Sequence, residues 1–112
     1  MGFLNSIFGS FSARGKAMTL YKRGMQKADR RDFEGAIDDY TTVIETRHAP
    51  GDVRAMALLN RALVYSRSHE TVKAEKDLAA VLAMPEATSQ VKAAAHEKVQ
   101  RMKKVAARQH TE

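Results

Sequence analysis

Three observations predict an all-α chain. Apolar residues recur at steps of three and four, as in "RRDFEGAIDDYTTVI" at 30–44, where Phe33, Ala36, Tyr40 and Val43 fall on one stripe. Alternating runs of β-branched residues are missing, while Ala, Lys, Arg, Glu, Leu and Met dominate. The two prolines, Pro50 and Pro85, lie in breaks between stripes. At 112 residues, with 44% hydrophobic and 29% charged residues, the chain has the size and composition of one globular domain with a modest core. It has no cysteine, which excludes disulfides and thiolate metal sites and suits a reducing cytoplasm.

Five helices follow from the punctuation. The first is expected from about Ala13 to Asp29, ahead of the tight turn "DRRD". The second spans roughly Phe33 to Thr46, with Asp32 placed to cap it. "RHAPGD" breaks the chain, and Asp52 is placed to cap a third helix that runs to about Ser66. After "RSHE" a fourth helix, about Thr71 to Met84, stops at Pro85. The fifth begins near Thr88 and reaches about Arg108, with Val91, Ala94, Ala95, Val99, Met102 and Val105 as its apolar stripe. Residues 1–12 are expected to form a flexible or amphipathic N-terminal segment, 13–108 a single domain, and 109–112 a frayed tail.

Shifting the chain by 38 residues superposes these helices. Leu20 falls on Leu58, Arg23 on Arg61, Gly24 on Ala62, Ala36 on Ala74, Tyr40 on Leu78 and Val43 on Val81. A mid-helix glycine costs about 0.8–1 kcal/mol relative to alanine. Gly24 therefore needs a reason, and a close helix–helix crossing opposite Ala36 supplies one, with Ala62 and Ala74 in the same roles.

These residues carry a family resemblance. Gly24, Phe33, Ala36, Tyr40 and Val43, and again Leu58, Ala62, Tyr65, Ala74, Leu78 and Val81, resemble the small and large positions of the tetratricopeptide repeat (TPR), a helix–turn–helix unit. Pro85 lies close to the place of that repeat's terminal proline. The resemblance covers about residues 17–86. It departs where the first-helix Trp is Leu20 and Leu58, where Lys27 matches Tyr65 and Thr71 matches Phe33, and in its longer period. It implies antiparallel hairpins stacked as a short superhelix: repeat 1 at about 17–50, repeat 2 at about 52–86, and a capping helix at about 88–108. The stripe of that last helix would cover the second unit, leaving Lys92, Lys98, Arg101, Lys103 and Lys104 to water. A monomer and a homodimer that extends the array both satisfy this pattern.

Charge is uneven along the chain. Residues 1–31 carry seven Lys/Arg against one acid, residues 32–91 six against ten, and residues 92–112 six against two. Basic ends suit nucleic acid, anionic lipid or an acidic protein. Nucleic acid is disfavoured because no aromatic is interleaved among the bases of the last helix. No enzyme is expected. His48, His69, His96 and His110 are scattered without a partner at metal spacing, Asp38 and Asp39 are helix neighbours pointing apart, and no strand leads into a phosphate loop. No catalytic residue, metal or cofactor is assigned.

Binding is the better-supported class. In TPR proteins the first helices line a concave groove, and the resemblance places Met18, Tyr21, Met25, Met56, Leu59, Asn60, Leu63 and Arg67 there. Methionine-rich apolar surface suits adaptable capture of a peptide or helix from another protein. One TPR subclass clamps a carboxylate at a chaperone C-terminus. Asn60 and Arg61 match one element of that clamp, while Tyr21 and Met25 replace the Lys and Asn of its first unit. The expected function is a cytoplasmic, non-enzymatic adaptor. The alternative is a peripheral adaptor at the inner membrane surface. It rests on Phe3, Leu4, Ile7, Phe8 and Phe11, which form an apolar segment followed by Arg14 and Lys16. "MGFLNS" also fits the permissive myristoylation pattern through Gly2 and Ser6. No stretch reaches the 18 apolar residues of a membrane span, and the N-terminus lacks the basic start and small-residue cleavage site of a signal peptide.

Overall fold

The computed structural model describes the backbone of residues 2–111 and the side chains of 13–110. Among the described residues it is all-helical, with five helices: α1 (Gly2–Asp29), α2 (Phe33–Glu45), α3 (Gly51–Arg67), α4 (Thr71–Ala83) and α5 (Ser89–Thr111). Two boundaries differ from expectation. α1 begins at Gly2 and so takes in the segment expected to be flexible or amphipathic, and α5 runs on to Thr111, past the expected end near Arg108. No proline interrupts either extension.

The helices form two hairpins, α1–α2 and α3–α4, and each turn is built alike. α1 ends with Asp32 N–H donating to Lys27 O at 2.8 Å and Arg31 N–H to Ala28 O at 2.9 Å. α3 ends with Glu70 N–H on Tyr65 O at 2.8 Å and His69 N–H on Ser66 O at 3.2 Å. This nested pair of bonds requires a left-handed residue just past the helix. Arg31 (φ 65°) and His69 (φ 62°) occupy it, 38 positions apart. Asp32 then caps α2 through Gly35 N–H at 3.0 Å, as its position predicts. Asp52 does not cap α3. Pro50 takes that place, with no side-chain bond, and the Asp52 carboxylate turns to Arg14 at 3.0 Å.

Two clusters of core residues share α3. Tyr40, Val43, Val53 and Ala57 belong to one, and Leu58, Ala62, Leu78 and Val81 to the other. α3 therefore buries opposite sides of itself against both hairpins, which is how stacked repeats hold together. Gly24 is explained by Tyr40. A Cβ on Gly24 would lie 2.6 Å from Tyr40 Cε1, and its nearest neighbours are all atoms of that ring rather than of Ala36. The second hairpin has Leu78 where the first has Tyr40, and there an alanine, Ala62, fits.

The period continues past the second hairpin. The bonds of the loop after α2, Thr46 N–H to Val43 O, Ala49 N–H to Thr46 O and Arg54 N–H to Pro50 O, recur after α4 from Met84, Ala87 and Lys92. α5 consequently begins 38 residues after α3, in the register of a third unit's first helix. Its Ala95 is as fully buried as Ala57, the residue in the same register in α3. The stripe expected to cover the second unit does so at its start. Ala95 is buried and Val91, Val99 and Met102 half-buried, but Ala94 and Val105 are exposed. Arg101, Lys103 and Lys104 face water, while Lys92 and Lys98 are half-buried.

Candidate functional site

The hairpin frame is fixed by one polar device used twice. Arg23 on α1 reaches Asp39 on α2 with Nε at 2.9 Å and Nη2 at 2.8 Å. Arg61 on α3 reaches Asp77 on α4 with both nitrogens at 2.8 Å. Both carboxylates are buried, and a forked two-bond pair is the geometry that makes burial tolerable. Lys27 adds a third contact to Asp39 at 3.1 Å. The Arg23 bonds, helped by Lys27, hold the Asp39 carboxyl below its ordinary range although burial works against them. Sequence reasoning missed these carboxylates. The signal was present, because Asp39 falls on Asp77 at the same shift that pairs Arg23 with Arg61.

With the hairpins so held, α1 and α3 lie side by side. Arg14 meets Asp52 at one end, and the Asn60 amide donates to Tyr21 Oη at 2.9 Å in the middle. Burial raises the Tyr21 hydroxyl pKa, and the Tyr21 and Tyr40 rings pack at 6.1 Å. Burial also pushes the Tyr40 hydroxyl up to about 12, so it remains protonated.

The expected groove residues divide into two groups. Met25, Asn60, Leu63 and Arg67 come together around one shallow pocket of about 130 Å³, with Ala28, Asp29, Tyr40 and Val64 completing its wall. Met25 is 40% exposed at this wall. The Arg67 guanidinium lies 5.0 Å from the centre of the Phe33 ring, which holds a cation at the pocket edge. Met18, Tyr21 and Met56 instead pack half-buried against the first core cluster, and Leu59 is buried in the second. They support the face rather than present it. Phe3, Leu4, Ile7, Phe8 and Phe11 lie outside the residues whose side chains are described.

Comparisons with family models, with curated proteins and with solved structures return no match. The site therefore rests on its own chemistry. That chemistry does not favour a carboxylate clamp. Asn60 has two amide hydrogens, and Nδ2 donates at 2.9 Å to both Tyr21 Oη and Met56 O. Arg61 is committed to Asp77 and Thr41. Among the described residues no three His, Cys, Asp or Glu side chains group to hold a metal, and no helix is long and apolar enough to cross a membrane.

Proposed function

We propose that this chain is a non-enzymatic adaptor that holds a peptide or helical segment of another protein on the face formed by α1 and α3. The observation that carries this reading is the convergence of Met25, Leu63 and the Phe33-stacked Arg67 on one pocket above a rigid frame. An exposed methionine and a half-buried leucine beside an ordered cation offer apolar contact plus one charged anchor, the composition of an adaptable peptide site. Neither Met25 nor Leu63 belongs to a core cluster, which separates binding from stability. The resemblance of the two hairpins to TPR units agrees with this choice of face.

The test is an affinity pull-down from native lysate with the wild type and with Met25→Glu plus Leu63→Glu, each checked by circular dichroism. A protein retained by the wild type and lost with the folded double variant is expected. An identical set of retained proteins would contradict the reading.

A further inference from the structure

The pocket on the α1–α3 face has a counterpart one unit further along. Ala28, Asn60, Leu63, Val64 and Arg67 line the first. The 38-residue register carries them to Ser66, Lys98, Arg101, Met102 and Val105, which all line a second pocket of about 210 Å³. His69 and Thr71, at the turn into α4, add to its wall. α3 contributes to both pockets, so one continuous face passes from α1 over α3 to α5.

The step changes the charge. In the first pocket Arg67 is balanced by Asp29. In the second, Lys98 and Arg101 stand where the first has Asn60 and Leu63, His69 lies beside them, and among the described residues no Asp or Glu lines the wall. Lys98 is half-buried, and its ammonium makes no hydrogen bond or ion pair among the described residues. A cation so placed has given up water without gaining a carboxylate, which favours an incoming anion. The acids nearest in sequence are paired, Glu70 with Lys73 at 3.1 Å and Glu97 with Arg101 at 2.6 Å. The Arg101–Glu97 pair is exposed and worth little, so Arg101 can exchange Glu97 for a ligand carboxylate. Met102 and Val105 supply apolar contact beside the bases. No aromatic lines this pocket, which leaves a nucleic-acid base nothing to stack on.

We infer that the partner segment held on the α1–α3 face runs on to α5 and sets an acidic side chain between Lys98 and Arg101. This rests on the reading of that face as a peptide site, and it adds the charge that the segment carries. Neighbouring helix axes lie about 8–10 Å apart, so one unit along the face spans about three residues of extended chain at ~3.3 Å each. The segment therefore offers apolar side chains to Met25 and Leu63 and an Asp or Glu one such step away.

The probe is a library of random peptides of about twelve residues, long enough to reach both pockets, selected on the full chain. Each peptide is displayed with both ends fused, so that no free terminal carboxylate is offered. Asp or Glu should be enriched about three residues from a Leu, Met or Phe, and the affinity of a selected peptide should fall as salt rises. Lys98→Gln with Arg101→Gln should weaken that affinity roughly fivefold or more, through the loss of both charge contacts. Arg101→Glu, at an exposed position, should weaken it in the same direction and carries the test if the double variant unfolds. Peptides that need Met25 and Leu63 but show no acidic preference would overturn this inference alone. No selected peptide, or none that is lost with Met25→Glu plus Leu63→Glu, would overturn the α1–α3 reading and this inference with it. Unchanged affinity of the folded Lys98 and Arg101 variants would overturn the inference. So would stronger displacement by inorganic phosphate than by acetate at equal ionic strength, or a dimer of the chain that those variants dissolve.

Discussion

Gly24 and Tyr40 form a matched pair, as do Ala62 and Leu78. The Tyr40 ring is 1% exposed and lies within 3 Å of where a Cβ on Gly24 would stand, so the ring must shift to admit one. Gly24→Ala should therefore destabilise the chain by about 1–3 kcal/mol, outweighing the roughly 1 kcal/mol that alanine contributes to helix propensity. Adding Tyr40→Leu rebuilds the pair found in the second hairpin. Denaturant midpoints of the two singles and the double should show the double to be more stable than the sum of the singles, with a coupling of about 1–3 kcal/mol. Additive effects would mean that the ring does not set the crossing. The size pattern was legible in the sequence, since a glycine inside a helical stripe calls for a close approach. Its cause was not, because a stripe does not say which side chain fills the gap.

At the scale of the helices, the Arg–Asp pairs lock each second helix to its first. They are not equal in strength. Arg61 is 17% exposed at its side chain and Arg23 55%, and Asp39 keeps Lys27 when Arg23 is removed. A double-mutant cycle to alanine should give a coupling of roughly 2–3 kcal/mol for Arg61–Asp77 and a clearly smaller one for the solvent-screened Arg23–Asp39. Asp39 titrates below its unfolded range, so its contribution is present above about pH 4 and is lost as pH falls through the lower folded value. Asp39→Asn should flatten that acid limb in a urea series against pH, and an unchanged limb would place the acid sensitivity elsewhere. The helices themselves were legible from apolar spacing, Pro50, Pro85 and the Asp32 cap. The ends of α1 and α5 were not, because neither carries a breaker where the expected boundary lay. Asp52 was misread as a cap because Arg14, which claims it, lies far away in the sequence.

For the whole molecule, the 38-residue period organises both what is closed and what is open. It repeats the turns, the pairs and the inter-unit loops, and it starts α5 in the register of a further first helix. The period was read from side chains alone, but α5 was taken for a plain cap, since its charged surface hides the register that Ala95 keeps with Ala57. Of the residues expected in the groove, Met25, Asn60, Leu63 and Arg67 do line one pocket, and their shared place on the first helices was legible from the helical spacing. Leu59 was not separable from them, because the shared helix α3 is apolar on both sides and only packing tells which. The central claim is that the α1–α3 face receives a partner while the back of α2 does not. Photo-crosslinking in native lysate tests it most directly, with p-benzoylphenylalanine placed at Leu63 in one variant and at the exposed Asp38 in the other. The account predicts a discrete higher-mass adduct from position 63 and none from position 38. An adduct of equal yield from both, or from position 38 alone, would contradict it.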